Sequence, residues 1–255
     1  MPSAPCDSSR IAAAPIGRPP AGVEKDHYVH ALFDRISARY DLFNTLASFG
    51  MHQSWRRRAI AAARLRPGMQ VLDVGAGTGD LTLMAAEAVS PTGMVTALDL
   101  SEPMLHVAAR KAAQTPAGYH VRMLQGRAER LPAPDDTFDA VISGFVMRNV
   151  SDLGATLAES HRVLACGGRL VILEFSRPRV AFIRLGHTLW LLTGAPLLGW
   201  LATGACWPFA YLRHSIAGFF RPEEFMAQLR SQGFSDVTAA ALLGGAVMIY
   251  RGVKV

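Results

Sequence analysis

Val71-Leu72-Asp73-Val74-Gly75-Ala76-Gly77-Thr78-Gly79-Asp80 runs from a short apolar segment straight into a glycine-rich turn. An apolar run that ends in closely spaced glycines marks a strand handing over to a helix, because glycine turns tightly and lets the backbone approach a ligand. A dinucleotide fingerprint would want glycine at 75, 77 and 80, with the helix N-terminus bare for a diphosphate. Position 80 is instead Asp80, and Asp73 flanks the turn on the other side. Two carboxylates here repel a diphosphate and suit a ligand with an ammonium group and no phosphate.

Outward from this turn, strands and helices alternate as in a doubly wound α/β fold. The pattern predicts strands at 70–74, 94–98, 121–125, 139–143 and 169–175. Helices are expected at 81–89, 104–113, 153–164 and 223–232. The chain closes as a hairpin, 237–243 and 246–254, across Gly244-Gly245. The expected architecture is Rossmann-like: a mostly parallel seven-stranded sheet with a C-terminal antiparallel hairpin.

Asp99 ends the second strand, where an acid accepts both hydroxyls of a ribose. Gly126-Arg127-Ala128-Glu129 follows the third strand, where an adenine would lie against a loop. The turn, the spaced Asp99 and this loop together point to S-adenosylmethionine, whose methionine end carries an ammonium group and no phosphate. The candidate cofactor contacts from these signals are Asp73, Gly75, Gly77, Asp99, Arg127 and Ala128.

Before the turn, residues 23–66 read as a helical cap. Val29, Leu32, Phe33, Ile36 and Tyr40 recur at spacings of three and four. A second helix is expected from about 54 to 65, with Trp55 and the arginines on different faces. Arg66-Pro67-Gly68 ends it. Residues 1–22 carry no apolar periodicity and read as a disordered leader, so one domain spans 23–255.

Residues 179–220 form an apolar insertion after the fifth strand, and 188–212 hold no charge over 25 positions. That length would span a bilayer. Gly194-Ala195-Pro196, Thr203-Gly204 and Trp207-Pro208 instead favour short helices. The expectation is an apolar lid over a greasy substrate, touching the membrane interface through Trp190, Trp200 and Trp207; an ordinary core segment is the alternative.

Apolar residues make up 50% of the 255 positions and charged ones 18%, too polar for a multi-spanning membrane protein. The three scattered cysteines form no disulfide framework or metal pair, so a reducing cytoplasm is expected. A net charge of +6 makes an anionic partner plausible. The bases form short clusters such as Arg56-Arg57-Arg58, and bare solvated surface explains these equally well. No Asn/Asp-Pro-Pro-aromatic clamp occurs, and the one Pro-Cys pair, Pro5-Cys6, falls in the leader, so no nucleic-acid substrate is expected. His27 and His30 share a helix face without further ligands, and no metal is expected.

Several pieces outside the turn narrow the reading: Ala38-Arg39-Tyr40-Asp41-Leu42-Phe43-Asn44, Ser48-Phe49-Gly50-Met51-His52 with Trp55-Arg56, Arg148-Asn149-Val150-Ser151-Asp152, and Leu173-Glu174-Phe175-Ser176-Arg177-Pro178. In these the chain resembles class I methyltransferases, and within them the ubiquinone/menaquinone-biosynthesis C-methyltransferases. The resemblance runs from about Phe33 to the C-terminus. It implies cofactor contacts at Thr78, Asp99, Arg127 and Ala128. Gly144 stands where that family carries a serine. The implied reaction moves a methyl group to a ring carbon of a polyprenyl quinol. Such a ring carbon becomes nucleophilic when its hydroxyl ionises, and a phenol has a pKa of roughly 10. Arg148 and Asn149 are the candidates to stabilise the oxyanion, and Tyr40, Asp41 and His52 those for proton transfer. Each has a plainer role available: ring packing, helix capping or surface exposure. A homodimer and a peripheral contact at the inner face of the membrane stay open. The rival readings are methylation of another lipid-like molecule (a phospholipid amine, sterol or polyketide) and a non-catalytic binding module.

Overall fold

The computed structural model describes residues 23–178, 181–194 and 207–255. The leader at 1–22 lies outside the described residues, as do 195–206 of the insertion, including Trp200.

Seven strands form one sheet, in the order β3-β2-β1-β4-β5-β7-β6. They are β1 (Gln70–Val74), β2 (Met94–Asp99), β3 (Val121–Gln125), β4 (Phe138–Gly144), β5 (Leu164–Phe175), β6 (Phe234–Leu242) and β7 (Val247–Lys254). The first five run parallel, and β7 lies antiparallel between β5 and β6. Parallel strands are covered on both faces, so their residues are apolar without alternation. In β1, Val71 packs into one core layer while Leu72 and Val74 pack into the other. In β5, Val171 and Leu173 join the first layer and Leu170 and Ile172 the second.

Helices α1 (Val23–Ile36), α2 (Tyr40–Ser48) and α3 (Met51–Ala63) precede the sheet and form the cap. Between and after the strands come α4 (Asp80–Val89), α5 (Glu102–Ala112), α6 (Leu153–Val163), α7 (Ala181–Leu189), α8 (Trp207–Gly218) and α9 (Pro222–Ser231). A π-helical turn, Trp190–Gly194, extends α7. Among the described residues no helix is long and apolar enough to cross a membrane.

Three details differ from the sequence expectation. Helix α3 starts at Met51, because Phe49 and Gly50 adopt left-handed conformations (φ 50° and 74°) that end α2 and reset the chain at once. The same helix buries His52, Trp55, Arg56, Ala59 and Ala63, so Arg56 lies inside with Trp55 and only Arg57 and Arg58 face solvent. A guanidinium goes inside because a carboxylate waits there, which helix periodicity cannot reveal. Finally, β5 begins at Leu164 and β6 at Phe234, each carrying a break in register that accommodates extra residues.

The order of strands sets the site. Neighbours of β1 leave it in opposite chain directions, to β2 and to β4, which opens a crevice at the carboxyl ends of the strands. Val74 is level with Leu98, and Asp99 with Gln125, so the glycine turn, Asp99 and the loop after β3 meet at one edge.

Candidate active site

Two cavities meet at that edge and share Phe33, Tyr40 and Phe145 in their walls. The first, about 130 Å³, lies over the glycine turn. Gly75, Gly77, Asp99, Arg127, Ala128 and Gly144 all line it, with Asn149 beside them. The second, about 420 Å³, is larger and mostly apolar. Tyr40, His52 and Arg148 line that one, together with Trp55, Phe145 and Phe175. The Arg148-Asn149 pair therefore straddles the boundary, and Asn149 faces the first cavity.

The turn is built to hold a ligand against its backbone. Gly75 (φ 72°) has no space for a side chain, since a Cβ there would come within 2.3 Å of Val146 Cγ2. Gly77 (φ 56°) is different: a Cβ would meet no protein atom within 4 Å, so the space beside it is open. Asp99 accepts hydrogen bonds from Gly77 N at 2.8 Å and Ser101 N at 2.8 Å. Burial pushes its carboxyl above the ordinary value, and those two N–H groups work against the rise. A carboxylate oxygen that accepts one N–H keeps a second lone pair for a ribose hydroxyl. These features fit S-adenosylmethionine: a hydroxyl acceptor, an open glycine and a loop beyond β3 for the base.

Asp73, Thr78 and Asp80 sit elsewhere than the sequence expectation put them. None of the three lines the first cavity. Asp73 lies beneath the turn, 1% exposed, and accepts a hydrogen bond from Thr82 Oγ1 at 2.6 Å. Asp80 faces the cap, where Lys111 contacts it directly, Gln53 Nε2 donates to it at 3.2 Å and Arg56 Nη1 lies 3.7 Å away. Burial would raise its carboxyl, but Arg56 and Lys111 outweigh burial and hold it below the ordinary value. Thr78 Oγ1 donates to Asp41 at 2.6 Å, and Lys111 joins the same Asp41 at 2.9 Å. Neither Asp73 nor Asp80 stands as a free charge beside the turn; Asp80, with Asp41, bolts the cap to it.

Burial pushes Asp73 up to about 7, against the hydrogen bond from Thr82. Between about pH 4 and pH 7 the folded chain then holds a proton that the unfolded chain has lost, so this group lowers stability as pH rises through that window. Asp73→Asn removes the effect. The variant should melt higher than the parent at pH 8 and equally at pH 4, read by calorimetry. A constant difference at both pH values would contradict the assignment.

His52 is buried and uses both ring nitrogens. Arg56 Nη1 is the donor to Nδ1, so Nε2 carries the proton and donates to Thr45 Oγ1 at 3.2 Å. Thr45 in turn donates to Asp41 O at 2.8 Å. Burial, then the Arg56 charge, lowers the imidazole below its ordinary value, so it is neutral at neutral pH. With neither nitrogen open, His52 holds Arg56 rather than receiving a proton.

Arg148 forms the floor where the cavities meet. Its Nη1 donates to Glu174 Oε1 and to Phe145 O, both at 2.6 Å. Glu174 is 0% exposed and also accepts from the backbone N–H of Arg148 (3.2 Å) and of Phe175 (2.8 Å). Arg148 Nε is buried without a partner. The guanidinium lies 5.2 Å from the ring of Phe175, which packs on Phe145 at 4.4 Å. On the other side, Asn149 donates to Phe145 O at 3.2 Å and accepts from Tyr211 of α8 at 3.0 Å.

The described parts of the insertion close the apolar cavity through Phe182, Ile183, Gly186, Trp190, Tyr211 and Leu212. Trp190 ties it to the cap, donating to Ala47 O at 3.2 Å and stacking on Phe49 at 4.9 Å. The sequence reading missed Arg56, Glu174, Lys111 and Tyr211. Arg56 stands on the helix face of His52, Trp55, Ala59 and Ala63, a signal of its place but not of the acid it meets. Glu174, an acid at the end of a buried apolar strand, carried a signal too. Lys111 and Tyr211 carried none.

The family model described as "ubiE/COQ5 methyltransferase family" matches residues 22–254. A demethylmenaquinone methyltransferase from Symbiobacterium thermophilum is 40% identical, covering 94% of this chain and 98% of its own. A ubiquinone/menaquinone biosynthesis C-methyltransferase UbiE from Rhizobium leguminosarum is 37% identical over 91% of each chain. Among solved structures, a SAM-dependent methyltransferase from Thermotoga maritima matches with TM-score 0.60 and 21% identity, over 89% of this chain and 99% of that one. At that identity the likeness establishes the fold. With a cavity at the topological switch point that fits S-adenosylmethionine, and a family match over nearly its whole length, this chain belongs to the ubiE/COQ5 methyltransferase family and is an S-adenosylmethionine-dependent methyltransferase.

Proposed function

We propose that the enzyme methylates a ring carbon of a polyprenylated quinol, demethylmenaquinol or a demethylated ubiquinol precursor or both, in respiratory quinone biosynthesis. The observation that carries this is the apolar cavity of about 420 Å³ that adjoins the cofactor cavity along a shared wall of Phe33, Tyr40 and Phe145. A flat ring fits against Phe145 and Phe175, and the apolar walls suit a prenyl chain. The names of the relatives point the same way.

S-adenosylmethionine supplies an electrophilic methyl group on a sulfonium centre. The protein has to make the ring carbon nucleophilic by stabilising an ionised hydroxyl, and Arg148 takes that oxyanion with the donors Glu174 leaves over. Apolar walls and the insertion exclude water, which strengthens the charge interaction. Of the proton-transfer candidates, Asp41 is committed to Thr78 and Lys111 and His52 to Arg56 and Thr45. That leaves Tyr40, on the wall of both cavities and half-buried, to take the hydroxyl proton while passing its own to solvent water. The test is incubation of the purified enzyme with labelled S-adenosylmethionine and reduced demethylmenaquinol, then with a demethylated ubiquinol precursor. Label in neither, with label in another lipid, would exclude the quinol reading.

The same cavity accounts for a membrane contact. Phe182, Leu185, Leu189 and Leu192 are 45–84% exposed at spacings of three, four and three along α7 and its π turn. Ile183, Gly186 and Trp190 of the same segment face the cavity, and Phe182 belongs to both surfaces. Residues 176–221 carry five arginines and no acid. A basic segment with an apolar ridge docks on an anionic bilayer, with the cavity mouth at the lipid. The protein should float with phosphatidylglycerol vesicles and much less with phosphatidylcholine. Leu185→Glu/Leu189→Glu should abolish flotation, and unchanged flotation would refute this surface.

A further inference from the structure

The apolar cavity contains a second buried cation. Its wall carries the charged side chains Arg148 and Arg56, at 6% and 8% side-chain exposure, and no carboxylate. Each has an acid behind it that does not reach the wall: Glu174 behind Arg148 and Asp80 behind Arg56. Each spends Nη1 on its protein partner. The two guanidiniums flank one aromatic floor, Arg56 at 5.9 Å from the Phe145 ring and Arg148 at 5.2 Å from the Phe175 ring.

The structural contacts of Arg56, an ion pair with Asp80 and a hydrogen bond to His52, both fall on Nη1 and leave the rest of the guanidinium against Phe145. Asp80 already has Lys111 against one oxygen and Gln53 on the other, and Arg56 stands at 3.7 Å, beyond hydrogen-bond distance. His52 is held by Arg56, neutral, with its proton turned toward Thr45. The assembly keeps a charged donor on the wall of a mostly apolar cavity, over a different ring from the one under Arg148. Burying a guanidinium is costly unless an acceptor meets it.

We infer that Arg56 holds the second oxygen of the substrate ring, so that a 1,4-dioxygenated ring lies on Phe145 and Phe175 with one oxygen at Arg148 and the other at Arg56. This rests on the quinol reading above and adds what the cavity selects: two acceptor oxygens on opposite sides of one ring. His52 orients Arg56 from behind and touches no substrate oxygen. A ring with a single oxygen leaves one guanidinium without its acceptor and sits loosely over the methyl donor.

The experiment compares two substrates under anaerobic reducing conditions. One is a short-chain 3-prenyl-1,4-naphthoquinol. The other is 3-prenyl-1-naphthol, which keeps the activating oxygen next to the reacting carbon and lacks the opposite one. The parent enzyme should lose on the order of 10- to 100-fold in kcat/KM on going from diol to naphthol. Arg56→Met should lose about as much on the diol and be within about twofold of the parent on the naphthol, with S-adenosylmethionine affinity unchanged by calorimetry. Arg56→Lys should fall between them on the diol. Equal loss on both substrates would make Arg56 structural and overturn the inference, as would no loss on either. If Arg56→Met does not fold, the parent alone decides: equal kcat/KM for diol and naphthol refutes a second oxygen site. No turnover of the diol by the parent refutes the quinol reading itself, an outcome distinct from these.

Discussion

Asp99→Ala is expected to weaken S-adenosylmethionine binding at least ~100-fold, the equivalent of about 3 kcal/mol. Three interactions go at once. The carboxylate accepts Gly77 N–H and Ser101 N–H, both at 2.8 Å, so its removal loosens the glycine turn and the start of α5 together. It also takes away the acceptor for the ribose hydroxyls, and hydrogen bonds to a charged group are each worth ~1.5–3 kcal/mol. The sheet should survive, because Asp99 ends β2 and the apolar core lies behind it. Asp99→Asn keeps one oxygen for an N–H and should lie between the parent and the alanine variant. Calorimetric titration with S-adenosylmethionine, alongside melting curves, checks both. An alanine variant that binds within threefold of the parent would mean the ribose lies elsewhere.

The second large effect concerns Arg148 and Glu174. Arg148→Met strands Glu174, 0% exposed, with only two backbone N–H groups for company. Breaking a buried ion pair from one side costs about 3–5 kcal/mol, which is a fall of ~10 °C in melting temperature for a chain of this size. Turnover should vanish, but that alone would not separate a chemical role from collapse of the floor. The double variant Arg148→Met/Glu174→Gln does. Replacing both partners removes the stranded charge, so most of the stability should return while turnover stays lost. Cofactor affinity should hold near the parent value, since Arg148 lines the apolar cavity and not the first one. Recovery of turnover in the double variant would show that Arg148 serves the floor and not the oxyanion.

Much of the fold was legible because it rests on local signals. Apolar runs of four to eight residues, breaker residues between them and one glycine turn sufficed to place all seven strands, within a few residues for most. The hairpin at Gly244-Gly245 was readable for the same reason, yet not its insertion of β7 between β5 and β6, which depends on which edge offers free backbone groups. The cofactor edge was legible too. Gly75, Gly77, Asp99, Arg127, Ala128 and Gly144 each lie at or just past a strand end, and strand ends in a doubly wound sheet converge on one crevice.

What failed were inferences about charge. Asp73 and Asp80 were read as flanking a ligand because they flank the turn in the chain. A side chain's direction alternates along a strand and rotates along a helix, so neighbours in sequence part company in space. Asp73 went under the turn and Asp80 toward Arg56 and Lys111. Thr82 of α4 claims Asp73, while Asp80 is claimed by Arg56 of the cap and Lys111 of α5, a meeting that only tertiary docking brings about. The same holds for Arg56, read as part of a basic cluster for an anionic partner or bare surface and found against Phe145.

The glycine turn, then, was decided by the sequence alone: its backbone angles need glycine whatever surrounds them, and it announced both the sheet and the cofactor edge. Only the tertiary structure decided which charges face the ligand. Ion pairs among the cap, the turn, α5 and the end of β5 join residues 24 to 70 positions apart, as in Arg56–Asp80, Arg148–Glu174 and Lys111–Asp41. Such pairs leave no periodic trace, because a buried charge is specified by its partner and not by its place along the chain.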